Sequence, residues 1–220
     1  MKELDVVFFD MDHTILAIDC DVSWKMFLID KGMAPAEDSA KAEYYWDLYC
    51  QGKSPVEEFV EFQLREFAGR TPEEMCVLTQ RHFDERIRQF IYPEAHRVIE
   101  EFSAKGVPTV LVTGTNRFLS QPLVDAVGIT TLLATEPEIV NGRFTGGIVE
   151  PFLLKEGKLL KAREYCRLLQ TDLKHAAFFA DSINDLEMLA SVGTPVVVNP
   201  ADMLIEEAKA RHWRIECWSL

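Results

Sequence analysis

The sequence is short of positive charge: 23 lysines and arginines stand against 36 aspartates and glutamates, a formal net charge of −13. A surface of that sign repels a nucleic-acid backbone or an anionic bilayer, so neither is expected as a partner. Cysteine is sparse too. Cys20, Cys50, Cys76, Cys166 and Cys217 are scattered, odd in number and without Cys-x-x-Cys spacing, which argues against a disulfide framework or a zinc site and fits a reducing compartment. Long apolar runs are missing as well. The run that follows the acidic start Met1-Lys2-Glu3-Leu4-Asp5 stops at Asp10, too short for a signal peptide or a membrane span. These absences predict a soluble, cytoplasmic protein with no membrane insertion, and they leave its oligomeric state open.

What is present is a repeated short pattern. Leu4 to Phe9, Pro108 to Val112, Ala176 to Ala180 and Pro195 to Val198 are brief apolar runs, rich in β-branched or aromatic residues, with helical stretches between them. Such runs read as buried parallel strands, and the alternation predicts an α/β fold with a Rossmann-like sheet. Three of the runs lead into polar residues: Asp10-Met11-Asp12, Thr113-Gly114 and Asp181. Ligands of open α/β sheets bind beyond the carboxyl ends of the strands, so these three ends are expected to share one crevice.

Between the first two strands lie about ninety residues with no strand-like run. Ser54-Pro55 with Glu57, and Thr71-Pro72 with Glu74, each read as an N-cap, a proline in the first turn and a capping-box acid. Val56, Val60, Leu64 and Phe67 follow helical spacing, as do Met75, Leu78, Ile87 and Ile91 more loosely. A helical cap is therefore expected over residues 17–91, inserted into a core formed by 1–16 and 92–220. The cap's aromatic residues, Trp24, Phe27, Tyr44, Tyr45, Trp46, Tyr49, Phe59 and Phe62, are expected to form its own core. Asn141-Gly142, between Ile139-Val140 and Arg143-Phe144, predicts a β-hairpin flap, because both turn positions tolerate positive φ.

Two carboxylates spaced by two on an extended chain point to opposite faces, so a turn after Phe9 must redirect Asp10 or Asp12 if both are to act together. Paired, one carboxylate suits a nucleophile and the other acid and base work; unpaired, they are two solvated loop acids. Asp181 and Asp185 lie four apart on one helical face, where a cation would relieve their repulsion, although Asp181 or Ser182 could equally cap the helix. Thr113 and the Gly114 backbone could hold a phosphate oxygen. Lys158, with Lys155 and Lys161 as competitors, could neutralise it.

Taken in order, Phe9-Asp10-Met11-Asp12-His13-Thr14-Ile15-Leu16, Val112-Thr113-Gly114-Thr115, Gly157-Lys158 and Ala180-Asp181-Ser182-Ile183-Asn184-Asp185 resemble the four motifs of the haloacid dehalogenase superfamily. The cap between the first two motifs, together with Asn199-Pro200 and Trp213, is similar to the phosphoserine-phosphatase-like branch. The resemblance implies a phosphatase acting on a small phosphorylated metabolite. Asp10 would form an aspartyl phosphate while Asp12 protonates the leaving oxygen and then activates water. Thr113 and Lys158 would hold the transferring group. Mg²⁺ would be bound by Asp10, the Asp12 backbone carbonyl and Asp181, with Asp185 acting from behind. Asn184 would contact substrate or phosphate. Where the branch carries a glutamate that reads the substrate's ammonium, this chain has Asp19, with Asp21 close by, and either acid could instead cap the helix beginning near Val22. No cap arginine for a substrate carboxylate is evident. His13 reads as a turn residue. A phosphotransferase, a phospho-accepting receiver domain and a non-catalytic binding protein are the competing readings, the last two disfavoured by the inserted cap and the full motif set.

Overall fold

The computed structural model describes residues 4–220, so the first three residues of the acidic start lie outside the description. Strands β1 (Val6–Phe9), β2 (Thr109–Asn116), β3 (Thr131–Val140), β4 (Arg143–Val149), β5 (Ala176–Ala180), β6 (Thr194–Val198) and β7 (Arg214–Glu216) form one sheet in the order β4-β3-β2-β1-β5-β6-β7. All neighbouring pairs are parallel except β3 with β4. This is the α/β fold the alternation predicts. Every residue of β1 is buried, as a central strand covered on both faces requires. Val7, Phe9, Leu111 and Phe179 pack into one apolar layer, and Val6, Phe8, Val110 and Phe178 into the layer on the opposite face.

The register explains the crevice. Phe9 pairs with Leu111 on one side and with Phe179 on the other, so the ends of β1, β2 and β5 lie abreast. Asn141 and Gly142, with φ of 52° and 76°, make the predicted turn between β3 and β4.

Four α-helices lie between β1 and the helix α5 (Pro93–Ala104) that precedes β2: α1 (Cys20–Asp30), α2 (Asp38–Cys50), α3 (Val56–Leu64) and α4 (Pro72–His82). A π-turn and a 3₁₀ turn follow α4. Leu16 and Ile91 then pair antiparallel, tying together the two chain segments at the neck. Thr71 and Glu74 form the expected capping box, with both reciprocal bonds present at 2.8 and 3.3 Å. Its counterpart at Ser54 is absent. Helix α3 starts after Pro55, which is extended at φ −79°, and no side chain caps it. The helix thus starts one residue later than the signal places it, and the Ser54 hydroxyl has no partner. Four more helices, α6 (Arg117–Val127), α7 (Glu156–Leu168), α8 (Leu186–Ser191) and α9 (Asp202–Ala210), complete the core. Among the described residues, no helix is long and apolar enough to cross a membrane.

Candidate active site

The chain leaves β1 at Phe9 and coils at once. The N–H groups of Ile15 and Leu16 both donate to the Met11 carbonyl, at 2.9 and 3.1 Å, and His13 sits at φ 55°. This turn supplies the redirection that two carboxylates spaced by two need, so Asp10 and Asp12 line the same cavity. His13 packs against Trp46 with ring centroids 4.9 Å apart and planes tilted by 33°, and burial holds its imidazole below the ordinary range.

Lys158 is 1% exposed and donates to Asp10 Oδ1 at 2.7 Å and to the Asp185 carboxylate at 3.0 Å. Its position depends on the residue before it. A Cβ on Gly157 would stand 2.0 Å from the Phe152 carbonyl oxygen, so only glycine lets the start of α7 approach that loop. Lys155 is engaged elsewhere, donating to the Gly52 carbonyl at 2.7 Å, and Lys161 pairs with Glu164. Burial draws the Lys158 ammonium down, but the charges of Asp10 and Asp185 outweigh it and hold its pKa above the usual value.

Asp181 and Asp185 stand outside the cavity's lining, beside the pair formed by Asp10 and Lys158. Thr14 donates to Asp181 Oδ1 at 3.2 Å. Burial, then the charge of Asp10, raises Asp181 well above the carboxylate range; burial raises Asp185 to about 7 against the pull of Lys158. Asp10, Asp181 and Asp185 thus crowd one lysine, leaving surplus negative charge in a buried place. Among the described residues, no three His, Cys, Asp or Glu side chains are grouped to hold a metal ion. Magnesium needs fewer, since it keeps several waters beside one or two carboxylates. The Asp12 carbonyl receives no backbone hydrogen bond from the described residues. An all-oxygen set of two carboxylates and one free carbonyl, beside uncompensated negative charge, fits a hard divalent cation.

Asp12 has a different environment. Its Oδ1 accepts from the Cys20 N–H at 2.7 Å and its Oδ2 from Thr115 Oγ1 at 2.9 Å. Thr115 Oγ1 also lies 3.1 Å from Asp21 Oδ2. A hydroxyl donates one proton, so it can serve only one carboxylate; the other contact requires a protonated carboxyl donating to the threonine oxygen. The electrostatics agree. Burial first, then the charges of Asp19, Asp21 and Asp10, raises Asp12 well above its ordinary range, and burial lifts Asp21 to about 7. Thr113 is buried, with its hydroxyl accepting from the Thr115 N–H at 3.1 Å, and Gly114 lines the same cavity.

The cavity measures about 730 Å³, counting its mouth. Asp10, Asp12, Thr113, Gly114 and Lys158 form its floor. Its roof comes from the helical segment: Asp19, Asp21, Tyr45, Trp46, Tyr49, Phe59, Phe62 and Gln63. The expectation that the aromatic residues form a core therefore holds for Trp24 and Phe27, both fully buried; Tyr45, Phe59 and Phe62 pack in a core cluster while also lining the cavity, Trp46 and Tyr49 line it, and Tyr44 is exposed. Helical spacing cannot separate these groups, because α2 and α3 present one apolar side to each other and another to the floor. Asp19 caps α1, its Oδ1 accepting from the Val22 N–H at 2.7 Å, while also lining the cavity. Asn184 stands outside that lining. It donates to the Tyr49 carbonyl at 2.9 Å, tying the end of α2 to the loop after β5.

Thr14, Thr115 and Gln63 carry no role in the sequence reading. The first two are visible in retrospect as hydroxyls two residues beyond Asp12 and Thr113. Nothing local marks Gln63.

The sequence profile of the haloacid dehalogenase-like hydrolases matches residues 7–190. A histidinol-phosphatase from Neisseria meningitidis serogroup C is 31% identical over 220 residues, 98% of either chain. Phosphoserine phosphatase SerB1 of Mycobacterium tuberculosis is 28% identical and is matched over 69% of its length. Among solved structures, a Bordetella pertussis Tohama I protein superposes with a TM-score of 0.88 at 32% identity, covering 97% of this chain and 98% of its own. A phospho-aspartyl intermediate analogue of phosphoserine phosphatase superposes at 0.73 with 16% identity, covering 98% and 93%, a likeness of fold.

Proposed function

Because this chain belongs to the haloacid dehalogenase-like hydrolases, we propose that it hydrolyses a small phosphomonoester through an aspartyl phosphate on Asp10. The observation that carries this reading is the buried Asp10 carboxylate, 2.7 Å from Lys158 on the floor of a cavity it shares with Asp12. The phosphatases among its relatives support the same reaction class.

In the first step an Asp10 oxygen attacks phosphorus and the bond to the leaving oxygen breaks. Asp12 donates the proton that oxygen needs, and its raised pKa keeps a proton available near neutrality. In the second step Asp12, now ionised, takes a proton from water, which attacks the phosphorus and frees Asp10 and inorganic phosphate. Lys158, the Thr113 hydroxyl and the Gly114 backbone, which line the cavity beside Asp10, would bind the phosphoryl oxygens. The carboxylates of Asp10 and Asp181 and the Asp12 carbonyl would hold Mg²⁺, with Asp185 fixing Lys158 behind them. Bound there, the ion supplies Lewis-acid neutralisation of the phosphoryl charge.

Turnover of an aryl phosphate with and without Mg²⁺, by the wild type and by Asp10→Asn, tests the proposal. Hydrolysis that needs the metal and is lost in the variant is expected. Metal-independent turnover, or a fully active Asp10→Asn, overturns it.

A further inference from the structure

The roof of the cavity offers hydrogen-bond acceptors, and the lining's cationic side chain stands on its floor. Lys158 is the sole cationic side chain in the lining among the described residues, and it is committed to Asp10 and Asp185 at the phosphate end. Facing the rest of the space are the carboxyls of Asp19 and Asp21 and the side chain of Gln63. Gln63 is 5% exposed, yet its Oε1 has no hydrogen-bond partner. A buried acceptor left unpaired is destabilising unless something else supplies a donor, and Gln63 is part of the wall of the cavity a substrate would enter. Trp46 and Tyr49 stack at 5.6 Å and 19° on the same wall, presenting π-faces that attract a cation or a flat ring.

Resting on the phosphatase reading, we infer that the leaving group is an amino alcohol, bearing an N–H-donating cation and no carboxylate. The N–H groups would complete Gln63 and meet the acids on the roof, while the stacked rings cover the apolar body. A carboxylate in that space would face two acids and a carbonyl oxygen with no cation to meet it, and such a mismatch is rejected more strongly than a missing methylene. A quaternary ammonium would satisfy the rings but leave Gln63 unpaired.

The test compares kcat/KM across phosphoethanolamine, histidinol phosphate, phosphocholine, phosphoserine, glycerol 3-phosphate and an aryl phosphate, for wild type, Gln63→Leu and Gln63→Glu. The first two substrates are expected to exceed phosphoserine and glycerol 3-phosphate by at least about tenfold. Gln63→Leu should lower the ratio of histidinol phosphate to glycerol 3-phosphate by about tenfold, and Gln63→Glu should raise it. The opposite signs keep the result separate from a folding defect. Preference for phosphoserine, glycerol 3-phosphate or phosphocholine overturns the inference while the phosphatase reading stands, as does a ratio that neither substitution moves. If no ester in the panel is hydrolysed, the phosphatase reading fails and this inference with it.

Discussion

His82 provides a measurable link between protonation and the integrity of the roof. It sits at the end of α4, 1% exposed, with Nε2 3.0 Å from Ser23 Oγ. Its ring lies 5.4 Å from those of Trp24 and Phe27, both on α1, the helix that carries Asp21 into the cavity. Burial first, and the Arg86 charge second, lowers its pKa from 6.5 to about 3. An imidazole depressed in the folded state is protonated first in the unfolded chain. Its contribution to stability is therefore complete above about pH 6.5 and is lost as pH falls towards 3. Each unit in that window costs about 1.4 kcal/mol, so by about pH 5 the loss attributable to His82 is about 2 kcal/mol. The buried carboxylates shift the other way over part of this range, and a difference measurement removes them. Urea unfolding of wild type and His82→Gln, near pH 7 and near pH 5, is the assay; glutamine keeps a partner for Ser23. The wild type should lose about 2 kcal/mol more than the variant between the two conditions. Parallel pH dependences, or an imidazole that titrates near 6.5 by NMR in the folded protein, would refute the reasoning.

Three further outcomes follow from the site. Lys158→Met leaves Asp10, Asp181 and Asp185 crowded without their cation, so aryl-phosphate turnover should fall by at least about a hundredfold and stability by about 3–5 kcal/mol. Because Asp181 and Asp185 have raised folded pKa values, that loss should deepen as pH rises through about 7, which thermal unfolding across pH will read. Gly157→Ala sets a Cβ against the Phe152 carbonyl and must displace α7 with Lys158, so kcat/KM should drop at least about tenfold; wild-type activity would show that the loop yields freely. Asn184→Ala removes the bond to the Tyr49 carbonyl, and limited proteolysis should then cut faster between α2 and α3, with no change expected if the contact contributes nothing.

The sequence by itself determined the α/β class and the central strands of the sheet, though not β7 at its edge. Four short apolar runs place strands because burial on both faces leaves a near-continuous apolar pattern, and strand ends carry their polar residues to one edge. Asp10, Asp12, Thr113, Lys158, Asp181 and Asp185 each stand at a strand end or a helix start, and it was their order along the chain, resembling the four family motifs, that separated them from loop acids and helix caps. Local chemistry misplaced the start of α3, which begins one residue after the capping signal at Ser54 places it. The roof was decided by tertiary structure alone. Whether an aromatic residue of α2 or α3 packs inward or lines the cavity depends on how the helices lie over the sheet. So does the burial of Gln63 Oε1 without a partner in the wall of the cavity. The pairing of Thr115 with Asp12 and Asp21 joins residues 103 and 94 positions apart, beyond the reach of any spacing rule. The proposed phosphoryl chemistry rests on groups at strand ends, which sequence periodicity locates; the proposed fit to a leaving group rests on groups brought together only where the helical segment lies over the sheet.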